Sequence, residues 1–101
     1  NYKMSQIIID PDAASADIAK IRSAIEKLNE SQSSIKQLST NASDMTGQTG
    51  PAIVEKCTQL SSQIDALKTN LNYTIGLIKS AVKEYQEKDA ELAKQYQNGG
   101  V

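Results

Sequence analysis

The sequence predicts an all-α chain, an antiparallel helix–turn–helix hairpin that makes half of a four-helix bundle. Three observations carry this. Apolar residues recur at alternating four- and three-residue steps over two long stretches. The only strong breaker in the chain, with Gly47, Gly50 and Pro51, lies between them. The 101 residues include just 4% aromatics, all Tyr, which suits thin Ile/Leu seams rather than a broad core.

The elements follow in chain order. Asn1 to Lys3 are set aside, with Met4 taken as the natural start, and residues 1–10 form an extended N-terminal segment rich in Ile. Asp10-Pro11 opens helix 1. The Asp side chain can accept from first-turn amides, and Pro suits a first-turn position whose N–H would be unpaired anyway. Asp12 and Asp17 place negative charge toward the positive end of the helix dipole. The first seam runs Ala14, Ile18, Ile21, Ile25, Leu28, Ile35, Leu38 and Ala42, with Gln32 filling the gap. Helix 1 is therefore expected over about 11–42 and the turn over about 43–49. Pro51 falls in the first turn of helix 2. The second seam runs Ile53, Cys57, Leu60, Ile64, Leu67, Leu71, Thr74, Ile78, Ala81 and Tyr85, and nothing breaks it before Asn98-Gly99-Gly100. Helix 2 is expected over about 50–97, with 98–101 a flexible tail. At 1.5 Å per residue it outruns helix 1, roughly 70 Å against 48 Å, so its last turns project past its partner.

Composition removes most catalytic chemistry. There is no His, hence no His-activated nucleophile and no His metal ligand. One Cys makes neither an internal disulfide nor a cysteine zinc cluster. Eleven basic against 12 acidic residues, with no basic block, argue against a nucleic-acid surface. No apolar run exceeds the length of Ile7 to Ile9, which is too short for membrane insertion or a signal-peptide core. The acidic pairs read as solvated helix surface rather than a Ca²⁺ loop. The chain is thus expected to be a binding protein with no enzymatic activity, cofactor or metal. Cys57 reads as a small buried apolar residue of the second seam. Three Asn-x-Ser/Thr matches, at Asn29, Asn41 and Asn72, carry no assigned role.

Two thin-seamed helices bury little surface by themselves. The excess is greatest at Leu71, Tyr73, Ile75, Leu77, Ile78, Ala81 and Val82, which cover most of the helix circumference. Either Ile7 to Ile9 folds back over this belt, or a second helical pair docks on it. Leu71, Tyr73, Ile75, Leu77, Ile78 and Val82 are the expected partner-binding residues. Gly76, inside the belt, either permits a close backbone approach or is a defect costing about 1 kcal/mol relative to Ala. Tyr85 and Asp89 stand one turn apart on the projecting part of helix 2. Of four Tyr, only Tyr85 has an acid four residues on.

Taken together, these features resemble the WXG-motif superfamily of type VII secretion, whose hairpins pair into four-helix bundles. The family marks its hinge with Trp-x-Gly and ends helix 2 with Tyr-x-x-x-Asp/Glu, an export signal. Here Met45 stands at the Trp place, Gly47 matches, and Gly50 and Pro51 complete the hinge. Tyr85 and Asp89 match the signal in full. With Met45 for Trp, the chain is most similar to the divergent small helical proteins associated with LXG toxins in Gram-positive bacteria. Ile7-Ile8-Ile9-Asp10-Pro11 followed by a long Ile/Leu seam is also similar to that group. The resemblance implies a targeting factor that binds the helical N-terminal domain of an LXG-type toxin, or another small helical protein. It implies that Tyr85 and Asp89 are read by the type VII secretion machinery. It places the protein in the bacterial cytoplasm, or exported without a cleavable signal peptide. Two alternatives stand beside it: a self-assembling homodimer or needle-like structural subunit, and an immunity protein that neutralises a toxin's catalytic domain.

Overall fold

The computed structural model describes residues 8–99, excluding the side chains of residues 98 and 99. They form two helices, α1 (Pro11–Ala42) and α2 (Thr49–Gly99), packed lengthwise in a rod 83 Å long. Ile8 to Asp10 precede α1 as non-helical chain. Asp10 caps α1: its Oδ1 accepts from the Asp12 and Ala13 amides at 2.9 and 3.3 Å, with Pro11 in the first turn. At the far end the Met45 amide donates to the Ala42 carbonyl at 3.0 Å, and Ser43 Oγ donates to the Thr40 carbonyl at 2.6 Å. These bonds satisfy carbonyls that a helix terminus leaves unpaired.

Two glycines shape the turn. Gly47 takes φ +75°, a conformation that side chains with a Cβ rarely adopt. Gly50 is buried where α2 starts, and a Cβ there would collide with the Ala42 carbonyl oxygen and lie 3.1 Å from that of Met45. Pro51 follows in the first turn of α2, where it removes no helical hydrogen bond. Asn98 and Gly99, expected in the tail, instead extend α2. A terminal Gly stops a helix when it turns left-handed, and among the described residues only Gly47 does so.

The core is one seam wide. Only Ala42, Cys57 and Ile75 are buried apolar residues among those described. Around them α1 contributes half-buried Ile18, Ile21, Ile25, Leu28, Gln32 and Ile35, and α2 contributes Ile53, Val54, Ser61, Ile64, Lys68, Leu71, Ile78, Val82 and Tyr85. The α2 seam thus differs from the one expected. Positions 57, 64, 71, 78 and 85 are common to both, and next to the turn Ile53 shares its place with Val54. Beyond them Ser61, Lys68, Ile75 and Val82 face α1 in place of Leu60, Leu67, Thr74 and Ala81. In α1, likewise, Ser39 turns inward and Leu38 outward.

A polar layer at mid-hairpin explains the difference. Gln32 of α1 donates through Nε2 to the Ser61 carbonyl at 3.0 Å and to Asp65 Oδ1 at 2.8 Å. Its Oε1 accepts from Lys68 Nζ, which also donates to Asn29 Oδ1 at 2.8 Å. Turning α2 to bury Leu60 and Leu67 would set Gln32 against leucine and strand its amide, which costs more than a surface polar contact gains. The same turn would replace Ile75 and Val82 by Thr74 and Ala81 at the open end, losing apolar volume.

Candidate docking faces and the overhanging end

Because α2 is packed through the rotated seam, the two flanks of the hairpin differ in character. One groove is lined by Asn29, Gln32, Ser33, Ile35, Lys36 and Ser39 from α1 and Cys57, Thr58, Ser61, Ser62 and Asp65 from α2. Its side chains are mostly polar, with Ile35 and Cys57 of the seam at its floor. The opposite groove, next to the turn, is lined by Leu38 from α1 and Ala52, Ile53, Lys56 and Leu60 from α2. Leu67 continues that stripe two turns beyond Leu60. Leu38, Leu60 and Leu67 are 49%, 48% and 46% exposed, so each keeps about half its surface in water.

The six residues expected to bind a partner divide. Ile75 is buried against α1, and Leu71, Ile78 and Val82 are half-buried in the seam, so these four already pack within the hairpin. Tyr73 and Leu77 are exposed. Of the segment expected to fold back over the belt, Ile8 is exposed and Ile9 half-buried, and Ile7 lies outside the described residues. Gly76 is exposed, with no atom within 4 Å of the place a Cβ would take.

At the open end Pro11, Ala14 and Ile18 of α1 lie beside Val82, Lys83 and Gln86 of α2. Tyr85 is half-buried and is the last α2 residue held by the seam; every residue from Gln86 to Gln97 is exposed. Asp89 stands one turn past Tyr85 on this projecting part. Lys88 and Glu84 form an exposed ion pair at 3.7 Å on the same stretch. Of the hinge residues, Met45 is exposed, whereas Gly50 is buried against α1.

The hydrogen bond from Gln32, aided by the charge and hydrogen bond of Lys68 at 3.5 Å, holds the Asp65 carboxyl below its ordinary range. Cys57 is a buried free thiol. Among the described residues no group of three or more Cys, Asp or Glu could hold a metal ion, and no helix is long and apolar enough to cross a membrane.

The leucine face was hidden in the sequence because it coincides with the more apolar of two possible seams. Its one signal was polar complementarity, Gln32 opposite Ser61 and Lys68. Comparison with family models, with characterised proteins and with solved structures returns no match to this chain.

Proposed function

We propose that the protein is an accessory or targeting factor of a type VII-like secretion system, binding a helical partner and adding an export signal to it. The partner class is the helical N-terminal domain of an LXG-type toxin. The observation that carries the reading is the unequal length of the helices. Tyr85 closes the seam and Asp89 follows on a stretch of helix with no neighbour among the described residues, so the pair is held on one helix yet open to a receptor. The unsatisfied leucine face supplies a surface for helix-in-groove association, and no chemistry is needed beyond binding.

The test is secretion of a tagged toxin N-terminal domain co-expressed with the accessory chain. Tyr85→Ala and Asp89→Ala should each abolish export while co-purification with the toxin domain and helical content stay unchanged. Export at the parental level from both variants would remove the signal assignment.

A further inference from the structure

We propose that the face bearing Leu38, Ile53, Leu60 and Leu67, rather than the 71–82 belt, is the docking surface, and that it takes an amphipathic helix whose apolar stripe is flanked by Asp and Glu. The assignment depends on the docking role above and not on the export role of Tyr85 and Asp89.

The shape of the surface selects a helix. Ile53, Leu60 and Leu67 recur every seven residues, and Leu38 meets the first two across the groove. Such a line runs along the rod instead of enclosing a pocket, and it matches the heptad stripe of another helix.

Charge selects the flanks. Lys56 lines the leucine groove itself. Lys27 and Lys20 precede Leu38 by 11 and 18 residues, three and five helical turns, which puts both on its side of α1. All three are exposed, and among the described residues none lies within ion-pair distance of a carboxylate, the ion pairs there being Lys68–Asp65 and Lys88–Glu84. Acidic residues on this flank, Asp17 and Glu84, sit at the open end beyond the leucines. A helix laid on the stripe therefore meets Lys56 and Lys27 beside the leucines and Lys20 past their open end, and carboxylates beside its apolar residues complement them.

The same charges disfavour a second copy of this chain. Pairing the faces hinge to hinge would bring each lysine level with its own counterpart across the same contact. Overlaying the stripes in the opposite sense leaves Asp17 and Glu84 outside the contact and offers only Asp44 of the turn to three lysines. The opposite groove has no exposed Leu or Ile among its lining residues, so it offers no apolar stripe to match.

The experiment uses the purified full chain and two synthetic helical peptides of about four heptads with Leu at both seam positions. One carries Glu at the flanking positions, the other Lys. Fluorescence anisotropy reads binding, and circular dichroism checks that each variant keeps its helicity. The Glu-flanked peptide should bind at least about tenfold more tightly than the Lys-flanked one, with affinity falling as salt rises. Leu60→Glu with Leu67→Glu should weaken it by a further tenfold or more, on the order of a hot-spot loss. Thr69→Glu, on the polar flank, should leave it within about twofold, a surface-substitution effect. Lys27→Glu with Lys56→Glu should reverse the peptide preference, a result that a merely structural role of these lysines would not give. Equal binding of both peptides, no binding of either, or a preference untouched by the lysine exchange would overturn the assignment. So would a dimer of the chain alone that Leu60→Glu with Leu67→Glu converts to monomer. Peptide binding is independent of secretion, so failure of the export signal and failure of this surface give separate results.

Discussion

Truncating Ile75 and Leu60 in turn tests which seam of α2 holds the hairpin. Ile75 is only 4% exposed, and its truncation to Ala leaves a cavity between two helices whose neighbouring seam residues are half-buried. Buried Ile→Ala changes cost about 2–5 kcal/mol, and a seam one residue wide can partly collapse, so about 2–3 kcal/mol is expected. A chain of this length with so thin a core belongs at the low end of domain stability, at about 5 kcal/mol. Ile75→Ala should thus remove roughly half of the stability. Leu60, at 48% exposure, has about half its surface left to lose, so Leu60→Ala should cost about 1 kcal/mol or less. Urea unfolding followed by circular dichroism at 222 nm reads both. The midpoint should drop sharply for Ile75→Ala and move little for Leu60→Ala, with parallel slopes. Equal loss for the two variants would mean that α2 packs through the Ile53/Leu60/Leu67 frame, and the leucine docking face would not exist.

Two further outcomes follow from named contacts. Gly50→Ala drives a methyl into the Ala42 carbonyl and should destabilise by about 1–3 kcal/mol, as overpacking does. Gly76→Ala meets no atom within 4 Å and should stabilise by up to about 1 kcal/mol through helix propensity, and thermal melts of the pair give the opposite signs. Asp65 supplies the pH dependence. Its carboxyl is held below the ordinary value by Gln32 first and Lys68 second, so its contribution is complete above the unfolded value and fades as pH falls through the folded one. Asp65→Asn should therefore lower the urea midpoint near neutrality, and the gap to the parent should close as pH falls below the ordinary Asp value.

How much of this was legible in the sequence depended on which force set each feature. The element pattern was local. Heptad steps, the Asp10-Pro11 start and the Gly47/Gly50/Pro51 break each act within a few residues, and two long helices about a single turn follow from them. Rotation of α2 about its axis was not local. Both frames keep Cys57, Ile64, Leu71, Ile78 and Tyr85 inside, and they differ by one heptad position in the rest. Apolar content within the middle of α2 favours Leu60 and Leu67 over Ser61 and Lys68. The decision came from contact with α1, through Gln32 at mid-hairpin and through the burial of Ile75 and Val82 toward the open end. The same dependence on α1 divides the 71–82 belt. Its apolar count around α2 is high, and Leu71, Ile75, Ile78 and Val82 are what α1 packs against, while Tyr73 and Leu77 stay exposed. Gly50 was legible as a breaker, whereas its close approach to the Ala42 carbonyl emerged only with the two helices in place.

The polar layer links this packing to binding. A hairpin held only by interchangeable Ile and Leu layers could slide by a heptad or rotate by one position at little cost, since each seam residue would meet a similar one. Gln32 meets three different partners in Ser61, Asp65 and Lys68, and a slip of α2 breaks all of those bonds at once. Holding Gln32 satisfied keeps Leu60 and Leu67 out of the core. The exposed leucine stripe is thus a consequence of the device that fixes register, and replacing Gln32 by Leu should couple the two. With Gln32→Leu, α2 is freed to turn Leu60 and Leu67 inward, so hairpin stability should rise while affinity for the Glu-flanked helical peptide falls. Urea unfolding and peptide anisotropy on the same variant check this. A variant that gains stability and binds the peptide as the parent does would show that Gln32 has no part in exposing the face.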